Sequence, residues 1–230
     1  MKKIKSNEIK KFTLKLGADL CGIADAGSFG NAPSGTSPKD ILPEASSVIV
    51  FAKKFLNSTV KAKSSISYTI IRNYLSKQLD KISIELSYFL EKNGYIGLPT
   101  GAIEPCNWDS KNKRVRGLLS LKHAAEIAGL GRIGKNTLLI NEHFGNMIWL
   151  GAVISNAELE YDEPIKGQYC QENCTICIDS CPINALSTPL MNQEACWNYA
   201  FGEENGGEWR IKCYKCRILC PYTNGIIKKV

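Results

Sequence analysis

Cys170-Gln171-Glu172-Asn173-Cys174-Thr175-Ile176-Cys177-Ile178-Asp179-Ser180-Cys181-Pro182 is the stretch from which this chain is best read. It has a counterpart downstream: Cys196, sixteen intervening residues, then Cys213-x₂-Cys216-x₃-Cys220-Pro221. These two groups hold eight of the ten cysteines. Crowding of that kind marks a ligand set. A disulfide framework needs an oxidising compartment, and nothing at the N-terminus resembles a secretory leader: the basic residues of Met1-Lys2-Lys3-Ile4-Lys5-Ser6-Asn7-Glu8 have no apolar run behind them. The expected location is the cytoplasm. Cys21 and Cys106 stand apart and read as small buried hydrophobes.

Both groups end in x₂-C-x₃-C-P, the second half of the bacterial iron–sulfur run C-x₂-C-x₂-C-x₃-C-P, whose fourth cysteine serves the other cluster. A cuboidal cluster needs three thiolates converging from one tight loop, and the proline then turns the chain so that the fourth sulfur faces away. The expectation is two [4Fe–4S] clusters with crossed ligation. One is held by Cys170, Cys174, Cys177 and Cys220, the other by Cys181, Cys196, Cys213 and Cys216. The first loop is one residue longer than the usual pattern, and Cys196 is recruited from a distance. Paired C-x₂-C steps also make tetrahedral zinc sites, but those rarely use paired C-P endings with two crossed sets.

The remaining composition is that of an ordinary globular chain, with 44% hydrophobic and 22% charged residues among 230. The longest apolar run, Met147–Ile154, is far short of the roughly 18 residues a membrane span needs, so no membrane partner is expected. Residues 1–169 hold 23 Lys and Arg against 16 Asp and Glu, whereas residues 170–230 hold 6 against 6. The net +7 therefore lies in the N-terminal part. Each loaded cluster with its thiolates adds about −2, giving an acidic module beside a basic one. The basic part could meet an anionic substrate, a phosphate-bearing cofactor or nucleic acid, or be a solvated lysine-rich surface.

Along the chain, Ile9, Phe12 and Leu16 mark one face of a helix over 6–16, and Ala18–Ala24 and Val48–Ala52 read as buried strands. Gly27–Pro43 reads as a long loop. Ile66, Ile70, Tyr74, Ile82, Leu86, Phe89 and Leu90 predict a helix over 66–92, stopped by Asn93-Gly94. Gly97–Arg116 reads as irregular, Ser120–Ala128 as a short helix, and Thr137–Ile140 and Met147–Ile154 as strands. The fold class expected is α/β, in the broad sense that includes α+β: a sheet-and-helix domain over residues 1–162, then a ferredoxin-like dicluster domain over 163–230, divided at Asp162-Glu163-Pro164.

Gly129-Leu130-Gly131-Arg132-Ile133-Gly134-Lys135-Asn136 spells both GxGxxG and most of a Walker A loop. Either would need a strand before the glycines and a helix after them. Here the order is reversed, and Asn136 stands where a P-loop has Ser or Thr, so both readings are rejected. The longer segment Ala128–Ile140 instead resembles the A-G-L-G-W-I-G-K-N-T-L-L-I hallmark of the epoxyqueuosine reductase-like family. The resemblance runs through Gly145 and Leu150-Gly151 into the cysteine groups and Cys196-x₂-Tyr199. It is specific over roughly residues 117–225.

That resemblance implies a nitroreductase-like domain that binds cobalamin in base-off form, fed with electrons by two clusters, an arrangement shared with reductive dehalogenases. An external electron donor such as a ferredoxin or flavodoxin is implied. By the same resemblance, Gly129, Gly131, Gly134, Lys135 and Asn136 line the cobalamin. Three departures stand out. The family's proton-donating aspartate falls in a stretch that reads here Val115-Arg116-Gly117-Leu118-Leu119-Ser120-Leu121-Lys122, with no carboxylate. The hallmark Trp is Arg132. The helical-repeat extension that helps hold tRNA in the family is missing from a sequence that stops at Val230, so tRNA is not expected as a partner. The catalytic acid is unknown, with Asp109 the carboxylate candidate, Glu104 a second, and His123 a packing residue. The function expected is reduction of an unidentified substrate by an iron–sulfur and cobalamin oxidoreductase; the alternative is a non-catalytic electron carrier or corrinoid-reducing partner. A nucleic-acid-binding iron–sulfur protein is a third reading, resting on charge alone.

Anaerobically purified protein should contain about eight iron and eight sulfide per chain. Iron analysis and EPR of Cys181→Ala and Cys220→Ala should show each variant losing the cluster whose other three ligands lie in the opposite group; loss of its own group's cluster instead would refute the crossing.

Overall fold

The computed structural model describes residues 3–111, 113–187, 191–203 and 207–227. In chain order the elements are α1 (Ser6–Lys15), β1 (Leu20–Asp25), α2 (Pro38–Ile41), β2 (Ser47–Lys54), α3 (Ile66–Lys92), β3 (Gly97–Thr100), β4 (Asn107–Asp109) and β5 (Arg114–Arg116). Then come α4 (Leu121–Ile127), β6 (Arg132–Ile133), β7 (Leu139–Ile140), β8 (Ile148–Ser155), α5 (Ile176–Asp179), α6 (Gln193–Ala200), β9 (Phe201–Gly202), β10 (Arg210–Ile211) and α7 (Lys215–Ile218). Among the described residues no helix is long and apolar enough to cross a membrane.

Four strands make the central sheet, in the order β1-β2-β8-β3, every neighbouring pair antiparallel. β2 and β8 sit in the middle with both faces covered, which is why Val48-Ile49-Val50-Phe51-Ala52 reads as a continuous apolar run rather than an alternating one. Side chains still alternate by face. Val48, Val50 and Ala52 join Ala124 and Ala125 of α4, and Ala128 just after it, on one side. Ile49 and Phe51 join Ile9 of α1 and Leu79, Ile82, Leu86 and Leu90 of α3 on the other. Each such fully buried Leu, Ile or Phe contributes roughly 1.5–3 kcal/mol.

The expected mix of sheet and helix is present, with three corrections. Gly97–Arg116 is not irregular: it supplies edge strand β3 and the β4–β5 hairpin. Pro99 concealed β3 because proline usually punctuates, but at the edge of a sheet its missing N–H costs no ladder bond. In the N-terminal half of α3 the expected face is turned outward, with Ile66, Ile70 and Tyr74 exposed. There Tyr68 and Leu75 turn inward, because this half of the helix overhangs the sheet and packs against Ile211 of β10. Thr137 takes φ +60° in the turn Gly134–Thr137, so the strand expected at Thr137–Ile140 begins only at Leu139.

Residues beyond Asp162 wrap onto the sheet. Ile211 shares a core with Phe55, Tyr68, Leu75 and Met147, and Tyr68 stacks on Tyr214 at 4.0 Å between centroids. The backbone N–H of Ile226 donates to the Glu142 carbonyl at 2.7 Å.

Close approach of α4 to β1 rests on Gly22, where a Cβ would lie 2.4 Å from the Ala128 carbonyl oxygen. Backbone cannot yield as a side-chain tip can, so Gly22→Ala should destabilise the fold by about 1–3 kcal/mol. A lowered urea midpoint with an unchanged slope would register this; an unaltered midpoint would show that α4 moves freely.

Candidate metal centre and adjoining cavity

Chain neighbours in the glycine-rich segment organise both cysteine groups. The Lys135 side chain points its ammonium into the first cysteine loop, donating to the carbonyls of Gln171 at 3.2 Å, Glu172 at 2.5 Å and Cys174 at 3.0 Å. Its backbone N–H points at Cys170 Sγ, 3.5 Å away. Asn136, only 3% exposed, donates from Nδ2 to the Cys216 carbonyl at 3.1 Å and accepts from Leu138 N–H at Oδ1.

Around these two residues the thiols form two sets. Cys170, Cys174, Cys177 and Cys220 line one small pocket together with Lys135, Asn136, Pro221 and Tyr222. Burial raises the Cys177 pKa, and its neighbours Cys170, Cys220 and Cys174 raise it further. Cys196 is likewise raised by burial and then by Cys213 and Cys181. Burial pushes Cys216 up to about 11, against the opposing pull of the Arg217 guanidinium. Burial also acts on Cys181, but the backbone N–H groups of Ile183, Ala185, Leu186 and Asn184 outweigh it and bring that thiol down. Among the described residues no three His, Cys, Asp or Glu side chains converge tightly enough for a single metal ion. Four sulfurs ringing a space suit a polynuclear cluster, and N–H groups aimed at sulfur, such as Ala185 to Cys181 Sγ at 3.2 Å, are the contacts that tune one.

Cys181, Cys196, Cys213 and Cys216 also form part of the wall of a cavity of about 580 Å³. The rest comes from every layer of the molecule: Tyr68 and Arg72 of α3, Arg114 and Arg116 of β5, Lys122 and His123 of α4, Trp149 of β8 and Trp197 of α6. Lys122 touches open space yet is walled in by protein, with Nζ donating to the Thr137 carbonyl at 2.7 Å. Withdrawal from bulk water lowers its pKa, and Arg217 lowers it further. His123, expected to be a packing residue, lines the cavity with Nδ1 2.7 Å from Ser120 Oγ, and burial lowers its pKa, leaving the ring neutral near pH 7.

Of the five residues expected at a cofactor, Asn136 alone lines this cavity. The chain itself occupies the space beside the glycines: a Cβ on Gly129 would lie 2.5 Å from the Glu163 carbonyl oxygen, one on Gly131 2.2 Å from that of Ile140, and one on Gly134 2.7 Å from Ile140 Cδ1. Gly129 and Gly131 permit backbone to pack on backbone, Gly134 makes room for side chains, and Lys135 turns to the cysteine pocket. Asp109 lies outside the described lining, its carboxylate accepting from Arg116 at 3.0 Å and 3.8 Å from Arg114 Nε. No Asp or Glu occurs among the described lining residues, and Asn112, within the basic run 111–116, lies outside the described residues. Cys106, expected to be buried, is exposed and lines the cavity. No sequence pattern pointed to Arg72, Trp149 or Trp197, whose shared wall exists only in the folded chain.

No family model matches the chain. An epoxyqueuosine reductase of Staphylococcus aureus is 29% identical over 217 residues, covering 83% of this chain and 52% of the relative. That of Lactococcus garvieae is 35% identical over 109 residues, 43% of this chain and 30% of the relative. The chain thus spans about half the length of such relatives, or less. Among solved structures, the Streptococcus thermophilus epoxyqueuosine reductase superposes with a TM-score of 0.65 at 21% identity, over 97% of this chain and 67% of that one. A catabolic reductive dehalogenase superposes at 0.71 and 19%, over 94% and 31%. The chain therefore resembles epoxyqueuosine reductases along most of its length, and its mixed helix-and-sheet fold is theirs and the dehalogenases'. One finding overturns the expectation that tRNA is no partner: an epoxyqueuosine reductase of this fold, TM-score 0.61 at 22% identity over 94% of this chain and 64% of that one, is seen with an epoxyqueuosine-modified stem loop of tRNA-Tyr. A single missing carboxylate and the point at which the sequence stops were too slight a basis for that expectation.

The two lone thiols should differ sharply in alkylation. Cys21 is pushed up to about 12 by burial, so it stays a protonated, inert thiol until pH rises far above 9, whereas Cys106 is open. Mass mapping after brief iodoacetamide treatment at pH 8 should find Cys106 modified and Cys21 intact; equal labelling would contradict the packing around β1.

Proposed function

We propose that this chain is an epoxyqueuosine reductase-like oxidoreductase that acts on a modified nucleoside in a tRNA stem loop. In this reading residues 1–162 form a nitroreductase-like domain and 163–230 a ferredoxin-like one. Cys170, Cys174, Cys177 and Cys220 hold one [4Fe–4S] cluster, and Cys181, Cys196, Cys213 and Cys216 hold the other. When bound, the clusters supply single electrons from an external carrier and a cobalamin supplies the strongly reducing centre that removes the oxygen. Thiolate ligands need a reducing compartment, which supports the cytoplasm.

The observation that carries this reading is the shared wall: four of the eight ligand-spaced cysteines line the same large cavity as α4 and β8. A mere electron carrier has no use for such a chamber. Broad, mostly apolar walls with a few converging polar groups suit a large ring cofactor with substrate above it. Leu138, Leu139, Ile148 and Leu150 would pack on that cofactor, while Asn136 and Thr137 offer it polar edges. A ligand seated in the cavity would displace water and strengthen the field of the charges beside it.

The two protons that such a deoxygenation consumes with two electrons would be held on nitrogen or phenol oxygen, since the described lining offers Lys122, Lys215, His123, Tyr68, Tyr199 and Tyr214 but no carboxylate. Lys122 Nζ spends one hydrogen on Thr137 and keeps two. Its lowered pKa brings it nearer to the range in which a general acid is effective. Near pH 7 neutral His123 has a single N–H to offer.

Anaerobic titration with cob(II)alamin, followed by EPR, should give a base-off spectrum. With cobalamin and a strong reductant, mass spectrometry should show loss of the epoxide oxygen from an epoxyqueuosine-bearing tRNA stem loop. An unchanged base-on spectrum at saturating protein would remove the cofactor reading, and binding without turnover would remove the substrate reading.

A further inference from the structure

The cavity carries a charge pattern that the reading above leaves unused. Its described lining includes Arg72, Arg114, Arg116, Lys122, Lys215 and Arg217, with no Asp or Glu. Most of these cations are accounted for. Arg114 and Arg116 face Asp109. Lys122 and Arg217 lie within the field of Cys216, and Lys215 precedes it in the chain.

Arg72 is different. Nη1 donates to Asn73 Oδ1 at 2.9 Å, and its guanidinium carbon stands 6.0 Å from the Trp149 ring and 5.5 Å from the Trp209 ring. Among the described residues Nε has no acceptor, and neither has Trp149 Nε1. Glu104 acts on Arg72 only from beyond ion-pair distance, and withdrawal from water lowers its pKa. A guanidinium close to two indoles, without a counter-ion among the described residues and next to a second unsatisfied N–H, is an unfavourable arrangement in isolation. Its planar fork matches the geometry of phosphate oxygens.

We propose that the Arg72–Trp149 corner is a subsite for the phosphate of a ribose-phosphate unit. Both N–H groups are covered from water although both residues line the cavity, so occupancy requires the Arg72 side chain to turn its fork inward. Two sources share this chemistry, the nucleotide loop of a corrinoid and the backbone of an RNA. The proposal rests on the function above only for that choice of sources.

The test titrates anaerobically purified wild type, Arg72→Gln, Arg72→Lys and Trp149→Phe with three probes: cobalamin, cobinamide (the same ring without the nucleotide loop) and an unmodified RNA stem loop, with inorganic phosphate as competitor. Arg72→Gln should weaken a phosphate-bearing probe by about tenfold or more. Arg72→Lys should recover part of this, Trp149→Phe should show a smaller loss, and cobinamide should bind all four proteins alike. A loss confined to cobalamin assigns the subsite to the cofactor, and one confined to RNA assigns it to the substrate. Unchanged affinity for both, or an equal loss for cobinamide, overturns the proposal. If the wild type binds neither corrinoid, the cofactor reading fails by itself, and the RNA and phosphate arms decide the subsite. If Arg72→Gln does not fold, Trp149→Phe carries the same comparison.

Discussion

Two adjacent side chains, Lys135 and Asn136, hold the cysteine-bearing segments in place, and the rest of the site depends on them. Three carbonyls of the first cysteine loop converge on one ammonium, and a buried amide reaches Cys216 in the second group. Hydrogen bonds to a charged donor are the stronger kind, and a buried amide left without its partner is costly. The glycines on the same loop let it lie flat against β7 and the chain beyond Asp162, so that neighbours in sequence can face two different thiol sets.

Three cores then locate the cavity. Two sandwich the sheet, with α4 on one face and α1 and α3 on the other. The third forms where α3 outruns the sheet and meets β10. The cavity opens where those layers part, walled by α3, α4, β5, β8 and the second cysteine group. Its cations follow from the same geometry: Arg72 projects from the overhanging half of α3, and Arg217 lies at 3% exposure, its guanidinium bonded to the Asn146 carbonyl.

Much of this could be read from the chain itself. Cysteine spacing pointed to two groups of thiols, which the structure gathers at two places, while α1 and α3 announced themselves through apolar periodicity and β1, β2 and β8 through short apolar runs. What escaped depended on tertiary context. Pro99 looks like a breaker unless the strand is known to be an edge. Ile66, Ile70 and Tyr74 satisfy a helical stripe that the overhang leaves facing outward. The glycine motif pointed to a ligand where the structure shows the chain's own atoms as neighbours, because a missing Cβ serves either purpose. Arg72, Lys122 and Trp149 have no pattern in common; only the fold makes them neighbours.

The two thiol sets are threaded through each other along the chain. The first remains one sulfur short until Cys220, and the second, although it starts with Cys181, remains open until Cys216. During synthesis, therefore, neither set exists until the chain has been made as far as Cys216 and Cys220. A polypeptide interrupted just before α7 would carry six of the eight thiols with neither set closed, so the two sets are completed together, within a few residues of each other, rather than in succession. The sheet, complete by β8, is already available as the surface on which that event takes place.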